Sequence, residues 1–323
     1  MKSTVIALMS VFVVVMNAAA QIEFADGTSL NTGTLSNVTV VQAGGTPTAN
    51  GTALKAAMNA ISMSNTTPLV IQLAAGNYNL GADPLTMRPS VLLRGLGRQS
   101  SIITGTGSVL VEGADATIIR DLQLKATTSN SILLRVQNGA FVDTFRVAFV
   151  LESTGGATAT GIQVLSGGEL DVVSGIIAGD TDNAGGSVTG LSVSGTNSSA
   201  FLYNSVLDIV ELSSGTLTGI STGSGATVEI ITGEYVIERE NAGSDVTLLT
   251  IGSGSRAIIK NSSVLARVNG NSIGIDTVVI PTTGGLLVFG TILEGDIPAT
   301  STYVNEFNHV IYSNSSQNFT TTP

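Results

Sequence analysis

Thr160-Gly161-Ile162-Gln163-Val164, Thr189-Gly190-Leu191-Ser192-Val193 and Thr218-Gly219-Ile220-Ser221-Thr222 align without a gap, and their first residues stand 29 apart. A looser copy, Thr247-Leu248-Leu249-Thr250-Ile251, falls 29 residues further on. Each copy is followed by a Gly/Ser turn and a second short alternating strand. Those strands are Leu170-Asp171-Val172-Val173, Phe201-Leu202-Tyr203, Val228-Glu229-Ile230-Ile231 and Ala257-Ile258-Ile259-Lys260. Related segments precede them at Thr117–Leu124 and Val142–Phe149, and another follows at Leu286–Leu293. Strands this short cannot bury an apolar face alone. Coiled so that each turn pairs in parallel with the last, they share one continuous core and satisfy their backbone groups. No Leu/Asn framework and no helical 3.6-residue period recurs, which excludes leucine-rich and helical solenoids. The expected fold is all-β: a single-stranded, right-handed parallel β-helix with coils over 68–297.

The bend after the second strand carries its own signal. Asp121, Arg146, Ser174, Asn204, Thr232 and Asn261 form one column, at spacings of 25, 28, 30, 28 and 29. Polar side chains there hydrogen-bond a sharply turned backbone and stack coil on coil. Arg146 is too large to tuck in as its neighbours do, which predicts a slip of alignment at that coil.

A solenoid needs covered ends. Leu54, Ala57, Met58 and Ile61 follow i, i+3, i+4, i+7 spacing, with Asn50 or Thr52 placed to cap. The pattern predicts an amphipathic helix over 52–63 that caps the open core, within an N-terminal segment 21–67. At the other end, Phe307, Val310, Ile311, Tyr312 and Phe319 punctuate a polar tail, 298–323, expected to fold over the last coil. His309, the only histidine, sits in that tail, with a packing or surface role expected. Residues 1–20 read as a secretory leader: Lys2, an apolar run Val5–Met16, then Ala18-Ala19-Ala20 before Gln21. That run is too short to span a bilayer, and no other segment approaches about 18 uninterrupted apolar residues. A secreted protein, periplasmic or extracellular, with no membrane span after leader removal is expected.

Composition narrows the partners. The chain lacks cysteine, so its stability rests on packing and pairing rather than disulfides. Its 13 scattered Lys and Arg and net charge of −10 exclude nucleic acid, which demands clustered basic residues along a phosphate backbone.

Val38-Thr39-Val40-Val41, Gly44-Gly45 and the helix region resemble the opening of pectin-lyase-like β-helix proteins, particularly the pectinesterase-like branch. So do Leu69–Tyr78, Val91–Gly97 and Ile102–Gly105, with Gly76 and Tyr78 matching that branch's Gly-x-Tyr. The resemblance covers about 38–105 and implies the fold. It does not carry the activity motifs: Asn79-Leu80 replaces the acidic residue expected after the tyrosine. The chain has no tryptophan, no Gln-Asp pair and no late Arg-Pro-Trp, and the coils hold no histidine. A lyase type, needing an arginine base beside a calcium-binding carboxylate cluster, is the enzyme version that the residues leave open.

Two acidic columns are the candidate sites. Asp143 and Asp171, 28 apart, point outward on adjacent coils, followed in the same column by Phe201 and Glu229. Parallel strands lie about 4.8 Å apart. Two carboxylates at that distance repel by about 0.9 kcal/mol in water, so they hold one proton between them, share a cation, or serve glycoside cleavage. A solvated acidic strip is the bland alternative. Arg146 completes this catalytic set. Asp182, Glu211 and Glu240, spaced by 29, form the second column and are the candidate metal ligands. No motif demands a cofactor; calcium is the ion such loop carboxylates would take, although Leu191 stands where a calcium loop starting at Asp180 needs its bidentate acid. The functional expectation is an exported, non-catalytic β-helix protein with a structural, adhesive or glycan-contacting role, its partner a polysaccharide or cell-surface glycan. The alternative is a polysaccharide lyase or glycoside hydrolase.

Overall fold

The computed structural model describes residues 22–23, 29–30, 37–126, 131–152, 158–181, 186–211, 215–239, 246–268, 276–281, 285–294, 305–308, 311–313 and 320–321. The chain divides into two compact units, 1–38 and 39–323. In the first, Ile22–Glu23 pairs antiparallel with Ser29–Leu30; the leader expected over 1–20 lies outside the described residues.

The second unit is a parallel β-helix built from three sheets, each gaining one strand per coil. Sheet I contains Val91–Arg94, Thr117–Arg120, Phe141–Phe145, Glu169–Val173, Ser199–Tyr203, Thr227–Ile231 and Arg256–Lys260. Sheet II follows the bend, with Ser101–Gly105, Gln123–Ala126, Ala148–Val150 and Ile176–Thr181 among its strands. Sheet III holds the Thr-Gly repeat, where Thr160, Thr189, Thr218 and Thr247 pair in register. The glycine of that repeat has a steric cause. A Cβ at Gly161 would lie 2.5 Å from the Gly190 carbonyl oxygen, and one at Gly190 2.7 Å from that of Gly219. The coils turn too tightly there for a side chain.

The core is a set of stacked columns. Val142, Leu170, Ala200, Val228, Ala257 and Leu286 occupy one inward column of sheet I, and Val172, Leu202, Ile230, Ile259 and Val288 the next. All are buried. Each residue thus covers the one before it, so apolar area is removed from water continuously along the coils.

The polar column at the bend between sheets I and II is present, and its backbone explains its composition. Asp121, Arg146, Ser174, Asn204, Thr232 and Asn261 all have φ between 49° and 57°. This left-handed region favours Asn, Asp and Gly and penalises other side chains. Each backbone N–H donates to a carbonyl of the following coil, Asp121 to Phe145, Arg146 to Val173 and Ser174 to Tyr203 among them. Arg146 therefore stays in register, and the slip expected at that coil does not occur. Its side chain reaches back along the column instead: Arg146 Nε donates to Asp121 Oδ1 of the preceding coil at 2.7 Å. Asn204 Nδ2 donates to Ser174 Oγ at 3.2 Å, one rung of the expected ladder. Thr232 is the poorest fit, because a β-branched residue at φ 52° is strained. Replacing exposed Thr232 by Asn is expected to stabilise the fold by about 0.5–1 kcal/mol. Calorimetry should show a melting temperature higher by roughly 1–3 °C; a lower one would contradict the strain argument.

The helix spans Pro47–Asn59 rather than 52–63. Thr46 is its N-cap, accepting from Ala49 N–H at 3.2 Å, and Pro47 supplies the pre-set φ of a first turn. Asn50, an expected cap, lies inside the helix and is buried. Its side chain receives Gly45 N–H at 3.1 Å and donates to the Asn77 carbonyl at 2.9 Å, tying the helix to the first strand of sheet II. Leu54 and Met58 are fully buried and belong to the continuous core. The Gly-x-Tyr residues serve the same junction. Gly76 sits at φ 152°, where a Cβ would meet that of Ala43 at 2.4 Å. The buried Tyr78 hydroxyl lies 2.8 Å from the Ala74 carbonyl and 3.1 Å from that of Val41. At the far end, Asn305–Asn308 extends sheet I and Ile311–Ser313 extends sheet II, each in parallel. The described part of the tail therefore continues the sheets, and His309 lies outside the described residues.

Candidate functional site

Two outward rows of sheet I form the site. In the first, Asp143 pairs directly with Asp171, followed by Phe201 and Glu229, as their spacing predicts. On the other side the row continues with the exposed Ile118 and then Leu92. Beneath the acidic pair, the buried Thr144 hydroxyl lies 3.2 Å from the Asp171 carbonyl and donates to it, so the strand crossing is pinned from inside. Neither acid is fully solvated. Burial pushes the Asp143 carboxyl above the ordinary carboxylate value. Burial also raises Asp171, and the Asp143 and Glu169 charges raise it further. Both shifts penalise the charged form, burial being the larger cause and like charge on the adjacent coil the lesser one at Asp171. Glu229 is engaged differently, accepting from Lys260 Nζ at 2.6 Å.

The second row carries residues that the spacing argument passed over. Arg94 pairs with Arg120, Arg120 with Phe145, Phe145 with Val173, and Val173 with Tyr203. Two arginines directly opposite each other repel, and Asp121 answers them. Arg120 Nε is 2.9 Å from its Oδ2, Arg146 Nε 2.7 Å from its Oδ1, and Arg94 Nε 3.8 Å from its Oδ2. Burial raises the Asp121 carboxyl, but the hydrogen bonds and charges of Arg146 and Arg120 outweigh that and hold it below its ordinary value. The Phe145 ring receives Arg120 and Arg146 over its face, at 5.4 and 5.1 Å from the centroid. Arg98 comes from the loop after Val91–Arg94 and crosses the coils to donate to the Ser174 carbonyl. Burial lowers its pKa, the Arg146 charge lowers it further, and Asp121 opposes both. Arg146, the third residue of the expected catalytic set, thus stands three residues beyond Asp143, past the end of its strand, and turns toward Asp121.

An aromatic strip accompanies the acids. Phe201 and Tyr203 have parallel rings 6.3 Å apart, and Tyr203 is exposed. Composition alone hides this strip, since aromatics make up 4% of the chain. Its signal is positional: Phe141, Phe145, Phe201 and Tyr203 all occupy outward positions of sheet I.

Two of the three residues of the expected metal column, Asp182 and Glu240, lie outside the described residues. Glu211 pairs with Thr181 and Arg239 across sheet II. Among the described residues, no group of three or more potential ligands gathers around a point. Nor is any helix among them long and apolar enough to cross a membrane.

A parallel β-helix bearing an acidic pair, an aromatic strip and an arginine cluster on sheet I is the class that fold and site define. No family model matches the chain, and no curated protein matches it in sequence. Among solved structures it is similar to the pectin methylesterase from carrot, at TM-score 0.47 and 14% identity, covering 85% of this chain and 81% of that one. It is also similar to the deglycosylated pectin methylesterase from Aspergillus niger, at TM-score 0.40 and 14% identity over 88% of this chain and 87% of that one. A third likeness is to ORF18 of Geobacillus virus E2, at TM-score 0.46 and 8% identity. It covers 86% of this chain, which spans only 62% of the viral protein. These likenesses concern fold; the assignment itself rests on the strand register.

Proposed function

We propose that the protein is an exported β-helix module that contacts a polysaccharide or cell-surface glycan on the outer face of sheet I. The observation that carries this reading is the in-register Asp143–Asp171 pair beside the Phe201–Tyr203 rings. Carboxyls accept the hydroxyls of a sugar, and flat rings cover its apolar face; parallel rows give both at the repeat of the strands. A second reading, cleavage of the bound glycan, is favoured by the raised carboxyls. A protonated acid beside a carboxylate is the equipment of general acid–base chemistry on a glycosidic bond.

Both readings meet in one experiment. Binding of neutral and acidic oligosaccharides is measured by calorimetry, and product formation by reducing-end and unsaturated-product assays. Wild type should bind an oligosaccharide, and the variant Asp143→Asn/Asp171→Asn should bind at least about tenfold more weakly. Product formed by wild type and lost in either single Asn variant would establish cleavage. Absence of binding across the panel would sink the proposal.

The same residues give a stability signature with a defined sign. A carboxyl whose folded pKa is raised holds its proton more tightly in the folded state, so its ionisation costs stability above the unfolded value. Asp171→Asn should therefore raise the melting temperature at pH 7 by roughly 1–2 °C, a small gain because solvent screens the group. The gain should vanish below about pH 4, where the unfolded carboxyl is also protonated. A variant less stable than wild type at pH 7 would show that the pair is not under strain.

A further inference from the structure

Three guanidinium groups converge on one carboxylate at the bend between sheets I and II, and a fourth lies beside them. Arg94, Arg120 and Arg146 all pair with Asp121, whose side chain is 12% exposed, while their own side chains are 34%, 32% and 50% exposed. Arg98 approaches from the loop above, held at the Ser174 carbonyl. The carboxylate thus forms the floor, and the arginines rise from it into solvent. Each guanidinium carries five N–H donors in a fixed fork, against roughly four acceptor positions on a carboxylate. One aspartate cannot saturate such a set. The chain as a whole carries −10, so an anion gains nothing from the overall field and needs a local concentration of positive charge. The like-charge cost is visible in the structure, where Arg94 and Arg120 stand directly opposite each other. Asp121 offsets part of it.

We propose that Arg94, Arg98, Arg120 and Arg146 form an oxyanion-binding site, and that its occupant is a sulfate or carboxylate substituent of the glycan bound on sheet I. The second half rests on the functional reading above. The geometry suits it: Phe145, whose ring face both Arg120 and Arg146 approach, stands two residues along the strand from Asp143. Two residues of strand span about 6.6 Å, comparable to one pyranose unit, so a sugar over the acidic pair can project its substituent onto the arginines. Forked donors suit planar carboxylates and tetrahedral sulfates alike, so the chemistry fixed by the site is the oxyanion.

The test uses the full mature chain and two probes. Sodium sulfate and sodium chloride are compared at matched ionic strength by thermal melting and calorimetric titration, for wild type, Arg98→Gln and the distant Lys260→Gln. Arg98 does not hold Asp121 directly, so its removal leaves the internal ion network in place. Sulfate is expected to raise the wild-type melting temperature beyond chloride, and Arg98→Gln to weaken sulfate binding by about tenfold. Lys260→Gln should match wild type. The second probe compares sulfated, carboxylated and neutral oligosaccharides. The acidic ones should bind about tenfold or more tightly than the neutral one, with that preference lost in Arg98→Gln; which acid binds more tightly identifies the substituent. Equal responses to sulfate and chloride in every variant would overturn the site and leave only a structural ion network. Sulfate binding that depends on Arg98, without any glycan binding, would overturn the assigned occupant and the glycan reading while leaving the oxyanion site. Glycan binding with no preference for acidic forms would leave the glycan reading and overturn this one.

Discussion

Val172→Asp is expected to abolish folding. Val172 is fully buried in the second inward column of sheet I, stacked against Thr144 and Leu202 of the adjoining coils. An aspartate there enters the continuous apolar core. An unpaired buried carboxylate costs well over the total stability available, about 5–15 kcal/mol for a whole domain. The chain can relieve this by protonating the acid or by opening the coil, and both leave the following coils without a template. Ile230→Asp, two coils on and equally buried, should behave alike. Ser192→Asp faces the other way on its strand, half-exposed between Gln163 and Ser221, and should change the melting temperature by less than about 1–2 °C. Circular dichroism and size-exclusion chromatography of the three variants decide the matter. If Ser192→Asp also fails to fold, or Val172→Asp folds, the inward and outward assignments are wrong.

Those assignments were readable because two regularities coincide. A period-2 alternation marks which residues of each strand face inward, and a period near 29 says which residues stack. The pairing of Asp143 with Asp171 follows from them, because residues with equal spacing share a rung. The helix boundaries did not follow, since the apolar spacing of Leu54, Ala57, Met58 and Ile61 is silent about the polar first turn that Thr46 and Pro47 set. The arginine cluster was hidden for a different reason. The bend column begins one coil earlier than its polar members show, at Gly95, whose N–H donates to the Arg120 carbonyl as its successors do to theirs. Glycine occupies the position without a side chain, so the column reads as starting at Asp121, and Arg94 goes unnoticed beside it. Arg98 lies in a loop with no repeat at all, and nothing in a periodic pattern connects it with Ser174. Spacing finds what recurs in every coil; a site is where one coil departs from the others, as when Arg146 reaches back along the column to form an ion pair with Asp121.

That departure has a measurable energy. Asp121→Asn keeps the size of the side chain and its tolerance for φ 57°, but removes the charge on which three arginines converge. The arginines then repel one another across adjacent coils without the Asp121 charge. Breaking a fully buried ion pair costs about 3–5 kcal/mol; the arginines are one-third to one-half exposed, so about 2 kcal/mol is expected here. In a chain of this length that lowers the melting temperature by roughly 3–4 °C. Asp121→Ala should lose about 1 kcal/mol more, because alanine is poorly suited to the left-handed backbone. The pH dependence has the sign of a depressed carboxyl. Its contribution is complete above the ordinary unfolded value and is lost as pH falls through the lower folded value. Wild type and Asp121→Asn should therefore differ fully at pH 7 and converge in acid, as the wild-type carboxyl takes up its proton. Added salt should narrow the gap at pH 7, since mobile anions screen the exposed guanidiniums. Sulfate should narrow it more than chloride at matched ionic strength, because the emptied cluster offers forked donors to an external oxyanion. An unchanged melting temperature at pH 7 would mean that Asp121 is a spectator among arginines already solvated. A deficit that persists undiminished in acid would mean that shape rather than charge sets the cost.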